Sequence, residues 1–438
     1  MKRFLSLVMA LLMMVALLSV STAGVAEEKV TLTVAHTYTK EEAEAGDMTR
    51  KGPRDAILQF AEENKDKIEL EITEIQHNDY ETKMQALAAA NDLPDVFLVK
   101  GSWINNFVEN GLIADITEAY QNCSFKDEYR PYLFDPATVN GAIYAAPMQF
   151  SSTALVFYNK DLWKEAGYDT LPATWQELIA ADAKFDAMGL DTISFGNKDK
   201  WQINSSWISA IADRYTGTEW TNSIIAKDGV ANFTDPEFVS ALNLIAQIGA
   251  SGMLNPDYST ITHQQAASQF INGKSATFID GYWAISYLLQ NADENFLSKL
   301  AIAPHPGVEG GKGDPSSITA GCGWFIAVNS KLEGEKKQAA MDLIFAASGP
   351  VLSQAMSDAG YISTCFTTPS EGVELSQLNK DYMSLVDNAT STVHIYDARI
   401  DAAVIDVMNE NLALLLAGGT TAEAAAEEIQ AEYALLLK

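Results

Sequence analysis

Along the first hundred residues, apolar positions recur with a period of two in short runs and with a helical period between them. Residues 30–35 (VTLTVA) alternate apolar side chains with threonine, and residues 68–72 (IELEI) alternate strictly, so both are expected to be strands. Residues 56–63 and 80–90 carry the helical pattern, the second closing at Asn91-Asp92-Leu93-Pro94. Residues 95–99 (DVFLV) then form a short buried strand. Strands alternating with helices of this length predict βαβ units and a parallel sheet. Right-handed crossovers would place a ligand crevice beyond the carboxyl ends of those strands.

A second unit starts near residues 142–147. Residues 154–158 (ALVFY) read as a strand, followed by an amphipathic helix that Gly167 stops. Thr174 with Glu177 three residues later has the spacing of a capping box and opens another helix. Helical sequence continues to about residue 300, where residues 302–306 (IAPHP) and the glycine-rich 307–314 form a break. Residues 323–328 return to a strand. The last third is helical, and Thr420-Thr421 followed by Glu423 opens its final helix. No repeat of fixed period is visible.

The start of the chain has a different character. Lys2 and Arg3 precede an apolar run, 4–20, broken only by Ser6 and Ser19, and small residues fill 21–26. This is the layout of a secretory signal peptide, residues 1–26, with cleavage expected after Ala26. An exported protein is therefore expected, periplasmic or associated with the cell surface. No cysteine stands at the cleavage region, so a lipid-anchored N-terminus is not supported.

A length of 438 residues exceeds what one hydrophobic core usually organises, so two lobes are expected. Lys and Arg number 29 against 58 Asp and Glu, a net charge of -29, which argues against a nucleic-acid partner and against an anionic membrane surface. Cys123, Cys322 and Cys365 allow one disulfide at most, and none has the C-x-x-C spacing of a zinc ribbon or redox pair. No metal and no cofactor are expected.

Catalytic motifs are scarce. Gly273-Lys274-Ser275 has the tail of a phosphate-binding loop, but Ser268 stands where the first glycine is needed. Residues 310–313 (GGKG) precede no helix, which removes a dinucleotide site. The five histidines at 36, 77, 263, 305 and 394 form no H-E-x-x-H, and no G-x-S-x-G elbow occurs. A glycosidase-type carboxylate pair stays open, because 58 acids supply too many candidates for the sequence to choose among.

Four segments carry a family resemblance. They are residues 80–116 with LPDV and NGLIAD, residues 141–175 with G-A-I-Y, Y-N-K-D and P-A-T-W, residues 276–283 (ATFIDGYW), and residues 320–350 from A-G-C-G to S-G-P. In this order and spacing the chain resembles the family 1 extracellular solute-binding proteins of bacterial ABC importers, the group that includes maltose-binding protein. The resemblance implies an α/β, two-lobed periplasmic-binding-protein fold of type II-like form. Each lobe would be a mostly parallel sheet flanked by helices, and several chain segments would cross the hinge. It implies a first lobe of 27–144 with 303–361 and a second of 145–302 with 362–438; the residue pattern itself breaks near Pro147 and Pro304. It also implies a monomeric, non-enzymatic receptor that closes on a carbohydrate and delivers it to the membrane permease subunits of an ABC importer. The rival readings are a secreted carbohydrate-active enzyme, a surface adhesin for glycans, or a receptor for a polyol phosphate, a polyamine or another small solute.

A sugar presents hydroxyls around its rim and weakly apolar faces, so its receptor needs flat aromatic rings and planar polar side chains. Trp283, after Asp280 and Gly281 at a strand end, resembles the tryptophan that stacks on sugar in this family. Ser102 and Trp103 lie just past the 95–99 strand, where the crevice rule puts ligand. Gln149, Ser151 and Ser152 follow the crossing at Pro147. Trp201, Gln202 and Trp207 occupy a stretch whose helical spacing is imperfect and which reads as a loop. His36 ends the first strand, and Gly323, with Cys322 beside it, would face the same cleft. Tyr396 and Arg399 complete the candidate set. Trp163 and Trp175 sit on helices with clear apolar faces and are expected to pack in the core.

Overall fold

The computed structural model describes residues 29–44, 47–358, 362, 365 and 374–437. The expected signal peptide, 1–26, lies outside them, as does residue 361 at the expected end of the first lobe. Twelve strands are described: β1 (Val30–His36), β2 (Ile68–Glu74), β3 (Val96–Lys100), β4 (Thr138–Val139), β5 (Ala142–Ile143), β6 (Ala145–Ser152), β7 (Leu155–Asn159), β8 (Asp191–Ser194), β9 (Ser275–Asp280), β10 (Leu300–Pro304), β11 (Ile318–Val328) and β12 (Thr392–Val393).

The larger sheet runs β12-β11-β3-β1-β2, with β6 also paired to β11. β1 lies parallel to β2 and β3, as the local strand-helix-strand pattern predicts, while β11 runs antiparallel to β3 and β6. The smaller sheet runs β10-β7-β9-β8. Here the expected parallel arrangement fails: β8 and β9 are parallel, but β7 is antiparallel to both β9 and β10. The reason is connectivity. β7 receives the chain from the larger sheet and β10 returns it, so neither strand belongs to a local βαβ unit.

The passage from β6 to β7 is short. Ser152 still pairs with Ala320 of β11, Leu155 already pairs with Asp280 of β9, and only Thr153 and Ala154 lie between. Thr153 joins both sides, its N–H donating to Thr319 C=O at 2.9 Å and its hydroxyl to Ser205 C=O at 2.8 Å. Sheet membership therefore changes after Ser152, later than the boundary expected at 144/145. The return passage is residues 305–317, between β10 and β11.

Two apolar cores follow from strand alternation. Leu155 and Phe157 of β7 point into the core shared with the larger sheet, and Val156 points into the other. That second core holds Trp163 and Trp175, as expected, and it is closed by the helices Ala402–Leu416 and Ala422–Leu435. The capping box of Thr174 and Glu177 is formed with both hydrogen bonds. None of the three cysteines is in a disulfide; Cys322 and Cys365 are buried. Among the described residues no helix is long and apolar enough to cross a membrane, and no His/Cys/Asp/Glu group could hold a metal ion.

Candidate functional site

A cavity of about 670 Å³ lies at the junction of the two sheets and takes its walls from both. On the larger-sheet side β6 supplies Gln149 and Ser151, which share one face at the strand period of two. β3 ends in Lys100, and the helix His77–Ala89 adds His77 and Glu81. β11 adds Gly321, Gly323 and Trp324. Its pairing with β6 is irregular between Cys322 and Phe325, so the bulged stretch turns Trp324 toward the cavity. His77, Tyr80 and Trp103 each meet the Trp324 ring edge-on at 5.6–5.8 Å and fix it in place.

On the other side stand Asp280 at the end of β9, Trp283 opening the helix Trp283–Asn291, and Trp201, Ser205 and His263. A Cβ on Gly281 would run into the Trp283 ring, so glycine is what lets the indole fold back over the strand end. Trp201 stands 5.8 Å from Trp283 and 5.3 Å from His263, edge-on to both. Three indoles thus face one cavity.

The stretch read as a loop around residue 204 is helical. A turn at Trp201–Ile203 runs into the π-helical segment Asn204–Ile208, and this widened turn is why the spacing looked imperfect. Trp201 and Ser205 reach the cavity. Trp207 is fully buried against Trp175 and Phe195 and does not line it. Gln202 stands behind the wall, donating to Asp280 at 2.7 Å.

Other candidates are placed elsewhere. Trp103 is 1% exposed and packs on Phe107, because residues 101–109 form a helix whose 103/104/107 stripe faces the core. It reaches the site only by supporting Trp324. Ser102, on the same helix, does not line the cavity. Ser152, on the opposite face of β6 from Ser151, is buried and shares a hydrogen bond with the Tyr382 hydroxyl at 3.1 Å. His36 ends β1 as expected but is covered; its Nδ1 accepts from Tyr38 N–H, and burial pushes its pKa down to about 4. Tyr396 is buried with its hydroxyl against Thr221, and burial pushes its pKa up. Arg399 lies beside His394 at 3.5 Å and does not line the cavity, whereas its neighbours Asp397 and Ala398 do. Gln149, Ser151, Trp201, Asp280, Trp283 and Gly323 are the candidates brought together.

Carboxylates outnumber cations in the walls. Glu42, Asp47, Glu81, Asp199, Asp280, Asp397 and Asp406 face Arg50 and Lys100. Arg50 is answered by Glu42 and Asp47, each at 3.9 Å, and Lys100 by Glu81 at 2.8 Å. Burial pulls the Lys100 pKa down, but Glu81, Asp397 and Asp406 outweigh it and the net shift is upward. Burial pushes Asp397 and Asp406 up. Sequence reasoning missed Trp324, Lys100, Arg50, His77 and His263. The end of the 95–99 strand was a usable signal for Lys100; nothing in the pattern singles out Arg50.

Two sheets joined through residues 153–154 and 305–317, with a cavity walled by both, define a two-lobed ligand receptor. The sequence profile of the bacterial extracellular solute-binding proteins matches residues 45–347, and the chain belongs to that family. A binding protein of Brucella abortus (strain 2308) is 27% identical over 237 residues, 54% of this chain and 56% of the relative. The maltotriose-binding protein of Pyrococcus abyssi is 26% identical over 218 residues, 50% of this chain and 44% of that one. The chain thus spans about half the length of the curated relatives it matches. Among solved structures, a chitin oligosaccharide binding protein superposes with a TM-score of 0.83 at 20% identity, covering 93% of this chain and 99% of that chain.

Proposed function

We propose that this protein captures a mono- or oligosaccharide between its lobes and delivers it to the permease of an ABC importer by hinge closure. The observation that carries the reading is the exposure of Trp201, Trp283 and Trp324 to one cavity that also offers an amide, hydroxyls and carboxylates. Indole faces suit the C–H patches of a sugar, and acceptors suit its hydroxyls. Both cations in the walls are already matched by acids, which leaves little to attract a phosphate, so a polyol phosphate fits less well. The names of relatives and neighbours support sugar as the ligand class. Thr153 and Ala154, with residues 305–317, serve as described crossings of the hinge, and ligand that touches both walls tips the open–closed equilibrium. Export through residues 1–26 and action as a monomer outside the inner membrane complete the proposal.

The test is a panel of maltose, maltotriose, xylotriose and chitotriose, read by tryptophan fluorescence and melting temperature. At least one sugar should bind near micromolar affinity, about -8 kcal/mol. It should be recovered chemically unchanged after prolonged incubation. Cleavage of the sugar would favour an enzyme, and no shift with any sugar would refute the carbohydrate reading.

A further inference from the structure

His263 opens the helix His263–Ile271 behind a capping box of Thr262 and Gln265, and its imidazole lines the cavity. Nδ1 lies 3.0 Å from Asp280 Oδ2. Asp280 is buried, and its other oxygen accepts from the Gln202 amide at 2.7 Å and from Gly281 N–H at 2.8 Å. An ionised carboxylate only accepts hydrogen bonds, so the proton between the pair belongs to His263 Nδ1. A neutral imidazole protonated at Nδ1 carries its lone pair at Nε2. Among the described residues Nε2 has no hydrogen-bond partner. The imidazole also stands beside Trp201, which is paired with Trp283, so this acceptor is on the wall that carries two of the three indoles.

We propose that His263 is a specificity-determining residue that presents Nε2 as an acceptor to one hydroxyl of the bound sugar, with Asp280 and Gln202 acting behind it as positioning residues. The inference rests on the carbohydrate reading above and adds to it a directional contact. The indoles cover a sugar face without choosing among hydroxyls. An imidazole locked in one tautomer accepts a single hydrogen bond in the plane of its ring, and so distinguishes a hydroxyl that points along that direction from its epimer. The carboxylates elsewhere in the walls each have several lone-pair sites and discriminate less.

The experiment has two arms. Imidazole nitrogen NMR of the ligand-free protein at neutral pH should show His263 with its proton on Nδ1 and a bare Nε2; a proton on Nε2 overturns the proposal without any ligand. The second arm adds maltotriose, xylotriose or chitotriose, whichever binds in the panel. The Nε2 resonance should move on binding. His263→Asn, which keeps a donor toward Asp280 and has nothing at the Nε2 position, should bind about tenfold more weakly, the worth of one hydrogen bond. Its melting temperature should be unchanged. His263→Gln, whose amide reaches the Nε2 position, should lose less. Wild-type affinity in His263→Asn, or an Nε2 resonance that a bound sugar leaves in place, overturns this inference alone. Failure of every sugar to bind overturns the proposed function and this contact with it.

Discussion

Lys100 and Trp324 are direct cross-strand partners of β3 and β11, and the ammonium stands 5.6 Å from the centre of the indole ring. One register pair therefore delivers both a cation and an aromatic ring to the cavity. The same ammonium meets Glu81 from its own side and feels Asp397 and Asp406 from the helices Tyr396–Arg399 and Ala402–Leu416. Lys100 is the charge that lets these acids share one wall.

Lys100→Met keeps the aliphatic stem and removes the charge, leaving three carboxylates around an uncharged side chain. Glu81 is partly exposed, which tempers the penalty. The variant should be less stable by about 1–2 kcal/mol in urea unfolding at pH 7. Lys100→Arg should stay close to the wild type. Equal midpoints for Lys100→Met and wild type would mean the acids do not depend on this cation.

Gly281→Ala tests the placement of Trp283 without touching the indole itself. The added methyl would meet the ring, which must swing away, at about 1–3 kcal/mol of crowding if it cannot. Sugar affinity should fall about tenfold or more, and Trp283→Ala should lose about tenfold to a hundredfold. Trp103→Phe is the contrast: it opens a void in the core behind Trp324, so its first effect should be on thermal stability. Isothermal titration and melting curves on the three variants separate ligand contact from support. An unchanged affinity in Gly281→Ala would show that the ring has room to stay.

Much of the architecture was legible because local pattern and tertiary role coincide. β1, β2 and β3 alternate or run apolar as their burial requires, and Thr174 with Glu177 announces a helix start that forms as read. What could not be read was the direction of β7 and β10, since a strand's sequence does not say which distant strand lies beside it. In the site, Asp280 and Trp283 follow a strand end, a local property, whereas Gln149 and Ser151 could not be separated from Ser152 until the strand β6 put them on the opposite face from it. Trp103 fails because the residues just past the strand form a helix whose apolar stripe turns it inward, and Trp207 fails because the stretch read as a loop is helical and buries it. Trp324 was missed for the converse reason: an indole in an apolar strand looks like core, and only the bulge against β6 shows otherwise.

Two histidines away from the cavity give the fold a calculable acid response. Burial, together with the Arg214 charge, pushes the His305 pKa down to about 3. Burial pushes His36 down to about 4, with Glu74 opposing. Both are lower than the unfolded value, about 6.5, so the unfolded chain takes up protons first as the pH falls. Their contribution is fully present above pH 6.5 and is lost progressively toward the folded pKa. At pH 5 each should cost about 2 kcal/mol relative to pH 7. Replacing His305 with Gln removes one of these terms, and comparison with wild type cancels the carboxylates common to both. Urea unfolding at pH 7 and pH 5 should show a smaller stability loss for His305→Gln by about that amount; identical losses would mean His305 is protonated without opening the core.

Arg214 holds the return passage between the sheets. It lies buried in the helix Ser209–Thr216, and its guanidinium reaches into residues 305–317. Nη1 donates to Asp314 C=O at 2.7 Å and to the Ser317 hydroxyl at 2.5 Å, and Nη2 donates to Ser317 C=O at 2.9 Å. Asp213, itself buried, stands 3.6 Å away and answers the charge. Burial pulls the Arg214 pKa down and pushes that of Asp213 up, as expected for a pair taken out of water together. Only a planar fork can bond that many carbonyl and hydroxyl oxygens at once, so lysine is a poor substitute here. Arg214→Lys should lose about 2–4 kcal/mol, and Arg214→Ala, which strands the Asp213 carboxylate, about 3–5 kcal/mol or more. The loss should also be local before it is global. In Arg214→Lys, amide exchange should accelerate through 305–317 while the helix Ala422–Leu435 keeps its protection. Uniform acceleration along the chain, or none in that segment, would show that the crossing is held by something other than this guanidinium.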